Sequence, residues 1–321
     1  MVQQLKGRLN RTTIAVTESL GFMRLYLTIA IGISAILAAG SGASGQSLAA
    51  DAPETGEQSG LFDRVVGNQK KNDVAMDLYE RLERVEVKKS AGDQQPPEVR
   101  TSRVIPAGTG VDHIPVGPDG TPTDAAAYRA ALEKLVNALS FAVGDGRAQK
   151  DAYDRIAKKH KDREELIDAT RTAFIFTFVD REPRGEGLLA RYRMTPNPKF
   201  KPTNRATSIF AKVKGYVWID EEAGQLARVE GEVTDDISVG LFLAKVNKGS
   251  HFMQERYEFA PGLWFPSFSQ YDFDGRKFLS SFALHERTFY SRYRRIGPPK
   301  EALEAVKQEL AASAKDGAHG E

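Results

Sequence analysis

The sequence contains no cysteine. This absence excludes disulfide bonds, catalytic thiolates and cysteine-ligated metal sites. It also excludes the lipid-modified cysteine of a lipoprotein. A clear excess of basic charge is missing as well, because 45 Lys and Arg stand against 43 Asp and Glu, for a net charge of +2. Binding of nucleic acid by phosphate neutralisation needs a stronger basic balance, so we expect no nucleic-acid partner.

Enzyme signatures are also missing: the chain has no G-x-S-x-G elbow, phosphate-binding loop or dinucleotide fingerprint. The five histidines lack close metal-site spacing, although His251 and His285 lie in predicted strands and could meet across a sheet. Asp272, Asp274 and Gly275 resemble the start of a calcium loop without its later ligands, so a hairpin turn explains Asp274-Gly275 better. We expect no catalytic residue, metal or cofactor. A hydrolase using unrecognised carboxylates is the least favoured alternative.

The N-terminus has the pattern of a secretory signal peptide, predicted over residues 1–45. The apolar run Leu25–Ala39 follows Arg24, and small residues follow the run from Gly40. Met23 lies directly before this pattern and is an alternative start. The segment favours export, most simply to the periplasm, although an uncleaved N-terminal anchor is the rival interpretation. Residues 46–60 are polar and small, which predicts a disordered leader.

A nearly continuous β pattern from Thr207 to Arg292 dominates the rest of the chain. Apolar residues alternate with polar ones from Ile209, which places one set on a buried face and the other toward solvent. Short turns separate the strands, as is typical of sequential antiparallel neighbours. We therefore predict a mainly β (α+β) domain over residues 61–296, followed by a helix and tail over residues 297–321.

Helical patterns interrupt the β pattern. A short amphipathic helix is predicted from Leu61 to about Lys71, followed by a long strand over Val74–Lys89, with a continued helix as the rival. Residues 106–169 form a predicted helical insertion between early strands. It opens with a Pro- and Gly-rich loop to Pro122, and Thr123 or Asp124 is placed to cap its first helix. The insertion's basic run, residues 158–163, could contact anionic lipid headgroups, but a solvated helix face is the more ordinary interpretation.

Aromatic residues crowd the last third of the chain. Aromatic side chains suit a pleated, half-buried surface. They would form either a sheet packed on helices or a sheet curved around an apolar cavity, and both can hold in one protein. Pro266 cannot donate a hydrogen bond to a neighbouring strand, so its strand is predicted to lie at an edge or to carry a bulge there.

Several short blocks resemble the LolA/LolB-like lipoprotein-carrier superfamily. They are Asn68-Gln69-Lys70 in the leading helix, Gly215-Tyr216-Val217-Trp218-Ile219-Asp220, Tyr257-Glu258-Phe259 and Gly262-Leu263-Trp264-Phe265-Pro266. The resemblance covers roughly Leu61 to Arg295 and implies a curved antiparallel half-barrel meander wrapped over helices. Members of that superfamily carry lipoproteins or lipids through the periplasm and shelter acyl chains inside the half-barrel. The insertion of residues 106–169 departs from the shorter carriers.

The resemblance and the alternation together yield two functional hypotheses. The first is an exported, non-enzymatic protein that binds a lipid or the acyl chains of a lipoprotein, with transient contact to a membrane surface. Its candidate cavity-lining residues, taken from the alternation, are Val213, Val217, Ile219, Phe259 and Phe273. The second is an envelope structural or interaction protein whose core is filled by its own side chains.

Overall fold

The computed structural model describes residues 55–88, 94–185, 187–239, 244–277 and 280–317. The predicted signal peptide lies outside these ranges. Four α-helices and one short 3₁₀ helix are present among the described residues: α1 (Thr55–Met76), α2 (Ala125–Val143), α3 (Arg147–Ala173), the 3₁₀ helix (Thr207–Lys212) and α4 (Pro299–Gly317). None of these helices is long and apolar enough to span a membrane.

The described strands form one twelve-stranded antiparallel sheet. They are β1 (Tyr79–Lys88), β2 (Glu98–Pro106), β3 (Val111–Pro115), β4 (Phe174–Arg184), β5 (Gly187–Pro196), β6 (Val213–Asp220), β7 (Gln225–Val233), β8 (Ile237–Val239), β9 (Ala244–Val246), β10 (His251–Ala260), β11 (Leu263–Lys277) and β12 (Ser280–Arg295). Their order is β3-β2-β1-β12-β11-β10-β7-β6-β5-β4. The short strands β8 and β9 lie outside this path: β8 pairs with β9, and β9 also pairs with β11. The first strand therefore pairs with the last, and the predicted curved half-barrel wrapped over helices is confirmed.

A pair of glycines permits a close approach of backbones in the middle of the sheet. Gly215 of β6 lies directly opposite Gly231 of β7. A Cβ on Gly215 would lie 1.9 Å from the carbonyl oxygen of Glu230, and one on Gly231 would lie 2.1 Å from the ring of Phe252. Glycine within a strand is typical of such close approach and of tight bends in curved sheets, and these two positions have no room for a side chain.

The two faces of the sheet are covered by different helices. On the concave face, α1 and the C-terminal part of α3 pack into the main hydrophobic core. On the outer face, α2 and α4 pack together over β2 and β3 in a separate core that includes Ile105, Ile114, Leu135 and Val306. The side chain of Asp124 accepts a hydrogen bond from the backbone N–H of Ala127, so the predicted cap of α2 is confirmed.

Three boundaries differ from the sequence prediction near the N-terminus of the domain. Helix α1 continues to Met76, so Val74 is helical and the first strand begins only at Tyr79. The rival interpretation of a continued helix holds only as far as Met76, and the predicted strand is confirmed from Tyr79 to Lys88. The same helix begins at Thr55, within the segment expected to be disordered. The predicted loop of residues 106–122 contains strand β3, which was missed because it is only five residues long.

Two further predictions were wrong in the main β region. The alternation at Ile209 and Ala211 belongs to the 3₁₀ helix, and β6 begins at Val213. No turn occurs at Asp274-Gly275, because β11 continues to Lys277 and Gly275 pairs with Phe282 of β12. The predicted irregularity at Pro266 is confirmed: the register between β10 and β11 shifts next to it, while β11 remains an interior strand.

Candidate functional site: the concave face

The first region of the concave face, here called the apolar half, is built from strands β4 to β7 with parts of β10 to β12. Inward residues at every second position of β6 and β7 form its floor, because side chains of a strand alternate between faces. Helix α1 covers this floor with Leu61, Phe62, Val65 and Val66, which follow helical spacing. The centroid of the Phe62 ring lies 4.8 Å from that of the Phe176 ring and 5.2 Å from that of the Tyr192 ring.

Four of the five candidate cavity residues lie together in this region. Val213, Val217 and Ile219 are fully buried and Phe273 is almost so, and all belong to the same hydrophobic core as α1. Their partners in this core are side chains of the protein itself. The role of these residues in ligand binding remains a prediction.

Phe259, the fifth candidate, lies elsewhere. Its ring is stacked on that of Phe265 at 5.9 Å and contacts the rings of Tyr79 and Tyr293. This aromatic cluster forms where the β10–β11 hairpin meets β1 and β12. Phe259 is half-buried in this cluster and Phe265 is completely buried. Because the cluster lies at the hairpin and not in the apolar half, the structure does not bring the five candidates into one place.

The second region, here called the polar half, continues the concave face across β10, β11, β12 and β1. Directly paired inward residues here are polar: Gln254 of β10 pairs with Ser269 of β11, which pairs with Thr288 of β12. All three are buried. The neighbouring inward residue Glu286 is also buried, and desolvation raises the pKa of its carboxyl group. This region has no signal in the sequence, because polar residues at alternate positions resemble a solvent-facing strand.

Helix α1 bridges the two regions by hydrogen bonds from its last turns. The buried side chain of Asn72 donates to Oε1 of Gln225 at 2.9 Å and accepts from the backbone N–H of Trp264 at 3.1 Å. Asn68 donates to the carbonyl oxygen of Gly224 at 2.9 Å. Asp73 forms an ion pair with Arg163 of α3. These bonds fix the register of α1 on the sheet.

A separate groove of about 570 Å³ lies on the outer face of the sheet. Its floor is the backbone of the Gly215–Gly231 pair, with the ring of Phe252 lying beneath Gly231. The groove is lined mainly by outward residues that alternate with the core positions of the same strands. Among them are Arg193, Lys214, Tyr216, Arg228, Glu230, His251 and Asp272. Lys214 is paired with Glu232 at 3.2 Å. The groove has the volume of a small-molecule site, but its mixed charge does not suit a hydrocarbon tail.

The two strand histidines share one row of the outer face with an aspartate between them. His251 pairs with Asp272, and Asp272 pairs with His285. The Nδ1 atom of His285 lies 2.9 Å from Oδ1 of Asp272. No cluster of three or more potential His, Asp or Glu metal ligands occurs within the described ranges. Because Asp272 lies between them, the two histidines do not contact each other across the sheet.

Comparison with known proteins gives distant structural matches only. No family model matches the chain, and no curated protein matches it. A solved domain described as an outer membrane lipoprotein-sorting protein, from Vibrio parahaemolyticus, is 11% identical, covering 72% of this chain and 92% of that one, with a TM-score of 0.28. A LolA superfamily protein from Nitrosomonas europaea is 10% identical, covering 70% and 90%, with a TM-score of 0.27. The resemblance expected from the sequence is thus found again among solved structures, and at these TM-scores it carries no conclusion about function.

Proposed function

We propose that the protein is an exported, non-enzymatic binding protein that holds an acyl chain of a lipid or lipoprotein on the concave face of its sheet. The periplasm is its proposed compartment, on the basis of the signal-peptide pattern of residues 1–45. In this proposal the structure is the closed form, and α1 occupies the place that the acyl chain takes in the open form. Release of α1 would expose Val213, Val217, Ile219 and Phe273 to the ligand.

One observation carries the proposal: a continuous hydrocarbon surface of the sheet is covered by α1, with the C-terminal part of α3 packed beside it. Leu61, Phe62, Val65 and Val66 of α1 supply the covering side chains. A methylene chain could replace them because burial of hydrocarbon depends on area and is not directional. An acyl chain would thus regain much of the apolar burial that the sheet loses when α1 moves.

Saturable binding of a fluorescent fatty acid to delipidated protein tests the proposal, and the cysteine-free chain allows a direct report on α1. A thiol introduced by Val65→Cys lies under the helix, whereas Val74→Cys lies on its exposed side, since Val74 is 56% exposed. We expect fatty acid to accelerate thiol labelling at residue 65 by about tenfold or more, with little change at residue 74. Absence of saturable binding would contradict the proposal.

A second function is favoured by the burial of the candidate cavity residues. Val213, Val217 and Ile219 are fully buried against the protein's own side chains, as expected of an envelope structural or interaction protein without a ligand. This alternative predicts no probe binding. It also predicts that the thiol at residue 65 remains protected at every lipid concentration.

A further inference from the structure

Arg256 of β10 is a buried cation on the concave face and points toward α1. The residue is only 8% exposed. Its Nε and Nη2 atoms donate to Oε1 of Gln254 at 3.2 and 2.9 Å. With the Gln69 amide oriented so that its oxygen faces the guanidinium, that oxygen accepts from Nη1 and Nη2 at 3.2 and 3.1 Å. Nη1 also donates to the backbone carbonyl oxygen of Trp264 at 3.5 Å. The guanidinium is thus held by neutral amide and carbonyl oxygens.

Two other arginines of the sheet, both largely but not fully buried, differ from Arg256 in their partners. Arg81 lies 2.6 Å from a carboxylate oxygen of Glu83, and Arg103 lies 2.6 Å from one of Glu80. No carboxylate of the described ranges lies within 4.0 Å of the Arg256 guanidinium, and the nearby Asp73 is paired with Arg163. Desolvation lowers the pKa of Arg256. Burying a charge without a counter-charge is costly, which indicates that this position serves something other than stability.

Gln69 is the partner that makes this arrangement reversible. It belongs to α1, whereas Gln254 belongs to the same strand as Arg256. Movement of α1 away from the sheet would remove the Gln69 oxygen and leave Nη1 and Nη2 facing the vacated space. A guanidinium with two free parallel N–H donors is suited to bind a carboxylate or phosphate in bidentate fashion.

The position of Arg256 fits the end of a chain bound in the apolar half. It lies four residues from Phe252, about 13 Å along the strand at roughly 3.3 Å per residue, and Phe252 belongs to the apolar core. Gln254, between them, pairs with the core residue Val229 of β7. A ligand with its tail on β6 and β7 would therefore bring its polar end to Arg256.

We propose that Arg256 binds the anionic end, a phosphate or carboxylate, of the ligand whose acyl chain occupies the apolar half, and that Gln69 takes the place of this anion in the closed form. This inference rests on the proposed acyl-chain binding and restricts it to anionic ligands. It also makes displacement of α1 and capture of the anion a single event, because the same guanidinium serves both partners.

The test measures binding of three probes by tryptophan fluorescence and calorimetry: lysophosphatidic acid, the neutral monoacylglycerol of the same chain length, and inorganic phosphate. We expect the native protein to prefer the anionic lipid by about tenfold or more, the range of one charge-assisted hydrogen bond. Arg256→Met should abolish this preference while retaining affinity for the monoacylglycerol. Arg256→Lys should retain part of it. Arg228→Met, on the outer face, should leave the preference unchanged.

A second variant tests the role of Gln69 without touching the arginine. Gln69→Ala removes the internal acceptor and should strengthen binding of the anionic lipid more than that of the neutral one. This measurement remains decisive if Arg256→Met does not fold, as judged by circular dichroism.

The outcomes separate the two proposals. An unchanged preference in Arg256→Met, or equal effects of Gln69→Ala on both lipids, would overturn the role of Arg256 and leave acyl-chain binding intact. Binding of inorganic phosphate without binding of either lipid would assign the arginine to a free anion, and overturns the lipid assignment. Binding of no probe overturns both proposals.

Discussion

The apolar half and the polar half share one face of one sheet, yet they are held together by different interactions. In the apolar half, α1 contacts the strands through hydrocarbon and aromatic rings. In the polar half, buried amides, hydroxyls and charges satisfy one another through hydrogen bonds. Apolar packing has no required direction, whereas each buried hydrogen bond fixes a geometry. The comparison suggests that the apolar half supplies most of the stability and the polar half supplies register and selectivity.

The largest effect is expected in the apolar half. Phe62→Ala removes a fully buried ring that contacts Phe176 and Tyr192, and should lower the free energy of unfolding by about 3–5 kcal/mol. Val74→Ala, on the exposed side of the same helix, is the control and should change it by less than about 0.5 kcal/mol. Urea denaturation of both variants gives the comparison. An equally small loss of unfolding free energy in both variants would show that the packing of α1 on the sheet is unimportant for stability.

A smaller loss is expected where α1 reaches the polar groups. Asn72→Ala leaves the buried backbone N–H of Trp264 and the Oε1 atom of Gln225 without their partner, which should cost about 1–3 kcal/mol. Asn68→Ala is the matched control, because Asn68 is half-buried and its acceptors can bond to water instead. Thermal unfolding measures both. If Asn68→Ala lost more stability than Asn72→Ala, then Asn68 and not Asn72 would be the residue that anchors α1.

The smallest effect has the opposite sign and concerns Glu286. Because burial raises the pKa of its carboxyl group in the folded protein, folding favours the protonated form, and the charged form at neutral pH is a cost. Stability should therefore increase as the pH falls from neutral through the raised folded-state pKa, and this gain is complete below the unfolded-state pKa.

Glu286→Gln removes that charge and keeps an oxygen that can accept from Oγ1 of Thr288. The substitution should stabilise the protein at pH 7 by about 1 kcal/mol and flatten the dependence of stability on pH in the acidic range. Urea denaturation between pH 4 and 7 measures both. Destabilisation at pH 7 would mean that the polar half needs the carboxylate.

The sequence predicted the apolar half well and the polar half hardly at all. Alternation identified Val213, Val217 and Ile219 as inward residues because hydrocarbon at every second position is typical of a strand with one buried face. Gln254 and Ser269 also face inward, but the same pattern of polar residues describes a strand in contact with water. Arg256 donates hydrogen bonds to Gln69, a residue nearly 190 positions earlier in the chain, and no local sequence pattern predicts such a contact.

Local chemistry accounts for the remaining successes and errors. Pro266 was correctly expected to disturb its strand, because a missing N–H donor has the same effect in any fold. Asp274-Gly275 was wrongly expected to form a turn, since strand pairing with β12 outweighs the turn preference of these two residues. The sequence pattern does not fix the end of α1, because Leu78 and Leu82 fit the helical and the strand period alike.

The pairing of β1 with β12 has a consequence for how the chain acquires its shape. Tyr79 lies opposite Arg295, more than 200 residues away in the sequence. Contacts between such distant segments delay folding, because a long loop must close before they contribute. During synthesis from the N-terminus, β1 would have no β12 to pair with until the last strand had been synthesised. Truncation before β12 would leave β1 and β11 as open edges, which invite aggregation.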